Sequence, residues 1–487
     1  MKEQRFYLQC KKKIGKYIRQ KRYGAALKLI RFCAQDKYYL NDVLADPELE
    51  DDLSLIADAL GGTVDAVTPE EKGPKPVVVF YDQVSLYNRV LSRTYLEGLA
   101  SVGEIELVYI SYQKREDNRL LYEYCEQNGI RFYEIGKRYG YSSLQNLLTL
   151  LARIRPDHII SQNHADDFIG VVANLCFAGK AKRHLINITD HAFWIGTRAY
   201  DSIVEFRDFG ASVSVLLRGI PGDRLIKLPY YASDTVAPFG GLPFDESGKR
   251  IVLSGGSVYK TQGSDAFYDV VRHILDTFDD TVFYFLGNNA EDYIRSKFRE
   301  PRYEGRVFVE NERADLDEVL KRAYVYINTY PLIGGLMTLF AMKNGLIPFT
   351  LVNADAPAND IRDFVVGGKC DFCFTGVSDM IAEIDRCLSD ADAYARRREE
   401  IRTVCINKEL FNANLKTILL DGKSDFELHV GQVDYDKQRE MYLSSYRDNL
   451  PVAVFSCRSP YLFFRRPVLY AKGFFALIKR KLGRKHR

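Results

Sequence analysis

The sequence predicts an α/β protein with two Rossmann-like domains in tandem, a helical region ahead of them and a basic amphipathic tail behind. Short apolar runs alternate with helix-length segments from Val77 to Thr189, and a second such series begins at Arg250. Repeated βα units of this length imply parallel, right-handed, doubly wound sheets. The third observation is the stretch Tyr324 to Thr350. A strand (Val325 to Asn328), a Pro/Gly turn, a helix (Leu336 to Lys343), Gly345 and a second strand (Leu346 to Leu351) make one βαβ unit there. From Ala323 no charged residue appears before Lys343, a length that suits a membrane span. Asn328, Thr329, Pro331 and Gly334-Gly335 in its middle argue against that, because they would expose backbone groups to lipid.

At 487 residues the chain exceeds the roughly 250–300 residues at which a single core stops growing, so two or three domains are expected. Apolar content of 46% and charge of 27% are those of a globular protein. Nine scattered cysteines fit a reducing compartment. The one close pair, Cys370 and Cys373, lacks the second pair of ligands that a tetrahedral zinc site needs, and no metal site is expected. The first twenty residues are basic and lack the apolar run of a signal peptide, so the protein is expected to stay inside the cell.

Residues 1–68 read as helices. Tyr7, Ile14, Tyr17 and Ile18 recur at helical spacing, Ala25 to Ile30 form a second stripe, and a third helix from Glu48 to Leu60 starts after Asp46-Pro47 and ends at Gly61-Gly62. Packing against the next domain is the expected role. TPEEKGPKP, Thr68 to Pro76, is a linker by composition.

The first Rossmann-like domain spans 77–235. Its expected elements are Val77 to Tyr81 (strand), Ser85 to Ala100 (helix), Ile105 to Ile110 (strand), Asn118 to Gln127 (helix), Ile130 to Ile135 (strand), Ser143 to Arg153 (helix), His158 to Ser161 (strand), a helix to Ala178 and the strand Leu185 to Thr189. After a linker at Pro238 to Gly248, the second domain spans 249–425. It opens with the strand Arg250 to Ser254 and proceeds through the helix Asp265 to Phe278, strand Thr281 to Leu286, a helix through Phe298, strand Arg306 to Val309 and helix Asp315 to Ala323. The βαβ stretch completes it, and 426–487 hold C-terminal helices and the tail.

Ligands of doubly wound sheets bind beyond the carboxyl ends of the strands. In the first domain two such ends carry histidines beside carboxylates: His164 with Asp166, and Asp190-His191, three residues before the only tryptophan, Trp194. A histidine held by an aspartate can serve as a general base near neutral pH. The alternative is that Asp166 and Asp190 are helix N-caps. In the second domain two glycine turns follow strands. Gly255-Gly256 leads to Lys260, and Gly334-Gly335 opens the helix that carries Thr338. Backbone N–H groups at such turns, a helix N-terminus and a lysine together suit a diphosphate. Neither turn has the Walker spacing or a complete GxGxxG, which disfavours triphosphate hydrolysis and nicotinamide chemistry.

Tandem Rossmann-like domains, the Gly-Gly…Lys turn and the Pro-x-x-Gly-Gly…Gly-x-x-Pro unit resemble the GT-B glycosyltransferases over roughly residues 77 to 425. SVYK at Ser257 to Lys260 and TYPLIGGLMTLFAMKNGLIP are similar to the nucleotide-phosphate elements of the O-linked N-acetylglucosamine transferase group. DHAFWIG resembles a run in bacterial glycosyltransferases of surface polysaccharide assembly. The resemblance implies two facing domains, the first for the acceptor and the second for a nucleotide-diphosphate sugar, most simply a UDP-sugar, with no other cofactor. It implies phosphate contacts from Gly255, Gly256, Lys260, Gly334, Gly335 and Thr338, and base catalysis by His191 with Asp190, or by His164. No acid lies between Gly335 and Gly345, where many relatives keep one for sugar or ribose hydroxyls; Glu310 and Glu312 are the expected substitutes. A sugar-nucleotide epimerase of the same fold and a non-catalytic nucleotide-binding scaffold are the competing readings.

Net charge is +3, yet Arg458 to Arg487 hold ten Lys/Arg and no acid, leaving 58 bases against 65 acids elsewhere. In residues 459–487 aromatics alternate with these cations, which suits an anionic membrane surface rather than nucleic acid. The expected acceptor is accordingly a glycan or lipid-linked glycan, met at the inner face of the plasma membrane.

Overall fold

The computed structural model describes residues 2–84, 91–112, 118–136, 139–235, 237–353, 360–366, 372–436, 439 and 450–485. The chain forms two compact units, one of residues 1–228 with 412–487 and one of residues 229–411. The sequence reading divides the same chain into four segments. The difference arises because the helices before and after the first sheet share its core.

In the first unit, helices α1 (Lys2–Arg19), α2 (Tyr23–Leu40) and α3 (Pro47–Asp65) precede the sheet. Asp46 caps α3 by accepting from the N–H groups of Glu48 (3.0 Å) and Leu49 (3.3 Å), with Pro47 in the first turn. The expected stop at Gly61-Gly62 does not occur. The helix continues to Asp65 because buried Leu60 and Val64 lie on one helical face across the glycines. Buried residues of all three helices, among them Ile14, Leu29 and Leu53, belong to the same apolar cluster as Val79, Val108 and Ile159 of the sheet.

The sheet comprises β1 (Val77–Asp82), β2 (Glu106–Ser111), β3 (Arg131–Glu134), β4 (His158–Gln162), β5 (Lys182–Ile186), β6 (Ser202–Glu205) and β7 (Leu225–Lys227), in the order β3-β2-β1-β4-β5-β6-β7. Every pairing is parallel. Helices α4 (Ser92–Ala100), α5 (Arg119–Gln127), α6 (Tyr141–Ile154), α7 (Phe168–Cys176) and α8 (Asp208–Leu216) connect the strands. The first part of the expected helix from Ser85 falls on 85–90, outside the described residues. The fifth strand ends at Ile186 rather than Thr189, so Asn187 to Thr189 already belong to the following loop.

The second unit holds β8 (Arg250–Gly255), α9 (Ala266–Thr277), β9 (Thr281–Leu286), α10 (Glu291–Ser296), β10 (Val307–Glu310), α11 (Leu316–Leu320), β11 (Ala323–Ile327), α12 (Gly335–Lys343), β12 (Ile347–Leu351) and β13 (Cys373–Phe374). Helices α13 (Val377–Ser389) and α14 (Ala391–Val404) follow, and α15 (Lys408–Asp421) carries the chain back into the first unit. The strand order β10-β9-β8-β11-β12-β13, again all parallel, reverses between β8 and β11. The two glycine turns therefore flank the topological switch point, where ligands of such sheets bind. Cys370 lies outside the described residues.

The chain ends in α16 (Pro460–Arg465) and α17 (Pro467–Lys485). The first of these packs back onto α1, with Tyr461 stacked on Phe6 at 6.5 Å between centroids and the Arg466 guanidinium 4.2 Å from the Phe6 ring, while α17 packs on Phe455 and Phe463 through Tyr470. Among the described residues no helix is long and apolar enough to cross a membrane.

Candidate functional site

In the second unit the glycine turns after β8 and β11 meet. Gly255 has to be glycine: a Cβ there would fall 2.8 Å from the Leu286 carbonyl oxygen of the neighbouring strand. The turn proceeds through a short 3-10 segment, Val258–Thr261, which carries Lys260. Lys260 joins the second turn twice. Its carbonyl accepts from Leu332 N–H at 3.2 Å, and its Nζ donates to the Ile333 carbonyl at 3.0 Å. The ammonium is thereby held beside the residues that lead into α12.

Helix α12 begins at Gly334-Gly335 with no side-chain cap, so its first N–H groups and dipole face the same region as the lysine. Burial alone lowers the Lys260 pKa from its ordinary value, with no carboxylate among the described residues offsetting it. A cation and a positive helix end placed together favour an anion between them. The turn is braced from inside. Asn328 Oδ1 accepts from Gly334 N–H (2.9 Å), and Asn328 Nδ2 donates to the hydroxyls of Thr338 (2.8 Å) and Thr350 (3.2 Å). Thr338 Oγ1 in turn donates to the Gly334 carbonyl (3.1 Å). Thr338 is thus a buried brace of the turn rather than a phosphate contact, because both hydrogen bonds of its hydroxyl point inward.

Glu310 and Glu312 line an open cavity of about 760 Å³ at the ends of β9 and β10, with Gly287, Asn289 and Arg313. Glu310 is engaged by the Tyr284 hydroxyl and by Arg313 (3.1 Å), whose other nitrogens grip Asp315 at 2.6–2.9 Å. Glu312 is exposed. Both acids thus line the same cavity of the second unit.

In the first unit the site grows from the loop after β5. Asp190 is 1% exposed and binds the ring of His191, Nδ1 to Oδ1 at 3.0 Å, while Arg207 donates to its other oxygen at 2.6 Å. Burial alone would raise the Asp190 pKa, but Arg207 and His191 outweigh it and hold the carboxyl well below the usual carboxylate range. The anionic Asp190 makes Nδ1 the protonated nitrogen of neutral His191, so Nε2 is its basic nitrogen. The His191 side chain is 30% exposed, so its ring reaches solvent while its support does not.

The loop is clamped from three directions. Arg218 donates through one nitrogen to the carbonyls of Thr189 (3.0 Å), Asp190 (2.9 Å) and Ala192 (2.8 Å), and its guanidinium lies 5.1 Å from the Trp194 ring. Beneath it, Glu205 receives Ser214 (2.6 Å) and Asn187 (2.9 Å), and burial pushes the Glu205 pKa up to about 7 against those bonds and the Arg218 charge. Asn41, just after α2, donates to the His191 carbonyl (3.2 Å) and accepts from Phe193 N–H (3.2 Å). Tyr435 donates to the same His191 carbonyl at 2.7 Å.

His164 is exposed just past β4, but Asp166 does not bind it. Asp166 instead receives Arg31 and Gln35 from α2, both at 2.7 Å. Neither Asp166 nor Asp190 is a helix cap: Asp167 caps α7 through Ile169 and Gly170 N–H, and Asp190 belongs to the ion pair. No local signal in the sequence gives Arg207, Arg218, Asn41, Asn328 or Tyr435 a part in either site. Among the described residues no group of three or more His, Cys, Asp or Glu is placed to hold a metal ion.

No protein-family model matches the chain, and no curated protein matches it. Solved structures do. Anabaena HepE in complex with UDP and glucose aligns with a TM-score of 0.52 over 71% of this chain and all of its own, at 12% identity. The fold is GT-B. A Listeria monocytogenes structure assigned as a UDP-N-acetylglucosamine 2-epimerase aligns equally well, with a TM-score of 0.51 over 74% of this chain and all of its own, at 12% identity. Glycosyltransferases and 2-epimerases thus share this GT-B architecture, and the N-terminal helices α1 to α3 are present in the chain alongside it.

Proposed function

We propose that the chain is a glycosyltransferase that moves a sugar from a UDP-sugar, or a related nucleoside-diphosphate sugar, to a glycan or lipid-linked acceptor. The observation that carries this reading is the Lys260 ammonium fixed to the Ile333 carbonyl at 3.0 Å beside the uncapped N-terminus of α12. When the anomeric C–O bond breaks, negative charge grows on the leaving diphosphate, and fixed donors aimed at that charge stabilise the transition state. Gly255, Gly256, Gly334 and Gly335 let the backbone approach the phosphates. The cavity beside Glu310 and Glu312 has the size for the nucleoside. In an inverting transfer His191 Nε2 takes the proton of the acceptor hydroxyl as its oxygen bonds to the anomeric carbon, and Asp190 stabilises the resulting imidazolium. His164, exposed past β4 with Asp166 bound elsewhere, ranks behind it.

Epimerisation of a sugar nucleotide is the second reading, favoured by the likeness to the Listeria structure. Incubation with a panel of sugar nucleotides, with and without glycan acceptors, separates the two. Release of nucleoside diphosphate or transfer of sugar supports the transferase. An epimerised sugar nucleotide with no release supports the epimerase, and no turnover of any donor favours the non-catalytic scaffold.

The same proposal places the protein at the inner face of the plasma membrane in a bacterial cell, as part of polysaccharide assembly. Its support is an apolar face on α16 and α17, where Phe464 (77% exposed), Val468 (67%) and Phe475 (65%) stand beside Arg465 and Lys472. Exposed Arg5, Lys12, Lys16 and Arg19 on α1, where α16 docks, add cations. Leu462 is fully buried, so deleting residues 459–487 would damage the core. Replacing Phe464, Val468 and Phe475 by serine is the cleaner test. Loss of co-flotation with anionic liposomes is expected, and unchanged flotation rejects the membrane role.

A further inference from the structure

Glu205 ends β6 with its carboxylate fully buried beneath the loop that carries His191. Among the described residues every polar contact of that carboxylate is with a donor. Asn187 Nδ2 reaches both of its oxygens (2.9 and 3.0 Å), and Ser214 Oγ reaches one of them (2.6 Å). The two contacts lead into the loop by separate routes. Asn187 Oδ1 accepts from Thr189 N–H (3.1 Å), while Ser214 Oγ accepts from Arg218 Nη1 (3.2 Å), part of the guanidinium that grips the carbonyls of Thr189, Asp190 and Ala192.

Asp190 lies next to Glu205. A Cβ on Gly210 of α8 would fall 2.5 Å from Glu205 Oε2 and 3.3 Å from Asp190 Oδ2, so the helix backbone passes against two neighbouring buried acids. The other charges nearby are engaged. Arg207 and His191 bind Asp190, and Lys227, in register with Glu205 on β7, binds Asp208 at 2.8 Å. Tyr435 donates to the His191 carbonyl, which leaves Arg218 as the cation that faces Glu205. Donors on all sides suit an anion, whereas burial, aided by Asp190, pushes the carboxyl up to about 7. Both protonation states are therefore accessible near neutral pH. A proton on Glu205 needs an acceptor, and Ser214 Oγ is the one in contact; Ser214 then turns its own hydrogen away, and Arg218 loses the anion behind it.

We infer that Glu205 is a positioning residue for His191: as an anion it holds Asn187 and the Ser214–Arg218 pair and so fixes the loop that presents the imidazole, and as a neutral acid it releases that hold. The inference rests on the transferase reading with His191 as base and adds to it a second ionisation that gates the base from beneath. Glu205 acts through the loop and touches neither donor nor acceptor.

Glu205→Gln keeps the shape and carries no charge at any pH, so it holds the loop as the neutral acid does. Full-length wild type and variant are compared by the pH profile of sugar transfer, by UDP calorimetry and by thermal unfolding at pH 8. The folded-state value lies above the ordinary 4.5 of a glutamate, so wild-type stability is full below 4.5 and part of it is lost as pH rises through about 7. The variant, spared that loss, should unfold at pH 8 at the wild-type temperature or higher and bind UDP as the wild type does, yet transfer sugar about tenfold more slowly through kcat. On the acid side kcat should fall with uptake of two protons in the wild type, one on His191 and one on Glu205, and of one in the variant. A variant rate within about twofold of the wild type at pH 8, or a wild-type acid limb no steeper than the variant's, overturns the inference. Weaker UDP binding or a lower unfolding temperature in the variant assigns Glu205 to structure alone and overturns it too. A wild type that transfers no sugar, or a His191→Ala protein of wild-type rate, overturns the reading with His191 as base itself.

Discussion

Asn41 and His191 lie 150 residues apart in sequence and are joined by a hydrogen bond, Asn41 Nδ2 to the His191 carbonyl at 3.2 Å. The N-terminal helices are therefore more than a packing cap, because the residue that follows α2 fixes the backbone of the proposed catalytic base. Asn41 itself is in the left-handed region (φ 52°), which asparagine and glycine adopt most readily. Asn41→Gly keeps that conformation and deletes both contacts to the loop. It should lower sugar transfer about tenfold with UDP affinity unchanged, as steady-state rates and calorimetry on the same preparation will show.

His191→Ala removes the proposed base and leaves the Asp190–Arg207 pair intact at 2.6 Å. Transfer should fall by ~10²-fold or more with nearly unchanged UDP binding. Turnover close to that of the wild type would take His191 out of the mechanism.

Arg218 holds the carbonyls of Thr189, Asp190 and Ala192 with one nitrogen and lies over Trp194. Lysine has the charge but not the planar fork, and it would leave buried carbonyls and Glu205 poorly served. Arg218→Lys should therefore cost about 3 kcal/mol in urea unfolding, far more than a surface Arg→Lys change. A cost below about 1 kcal/mol would mean that the loop is held elsewhere.

The pH dependence of stability should carry a signature from the other end of the first sheet. His184 is buried against His158 (3.1 Å) and Ser202 (2.7 Å), and burial, with the neighbouring His158 and Lys182 charges, lowers its pKa to about 4. The unfolded chain then takes up a proton before the folded one does. Stability present above the ordinary histidine value near 6.5 is lost as pH falls toward 4. His184→Gln should remove about 2 kcal/mol of the difference in unfolding free energy between pH 7.5 and pH 5. An unchanged difference would show that His184 does not titrate in this way.

Both series of βα units and both glycine turns are readable in the sequence because short apolar runs and Gly-Gly pairs are local signals. Strand ends are less so: β5 stops at Ile186, Asn187 N–H makes a last bond to the Val204 carbonyl of β6 (3.0 Å), and Ile188 N–H turns back to the Ile186 carbonyl (3.1 Å). The clamp on His191 is invisible for a different reason. Asn41 and Tyr435 reach its carbonyl from 150 and 244 residues away, Arg218 reaches the carbonyl of the adjoining Asp190 from 28, and no periodicity encodes such meetings. Asp166 illustrates the opposite failure, where adjacency to His164 suggests a pair but Arg31 and Gln35 from α2 occupy both roles of the partner.

The central claim is that the turns carrying Lys260 and Gly334-Gly335 bind a nucleoside diphosphate, and titration calorimetry of UDP against wild type and Lys260→Ala tests it most directly. The account predicts saturable binding of one UDP per chain and at least tenfold weaker binding once the ammonium is gone. No binding by the wild type, or equal affinity in the two proteins, would contradict it.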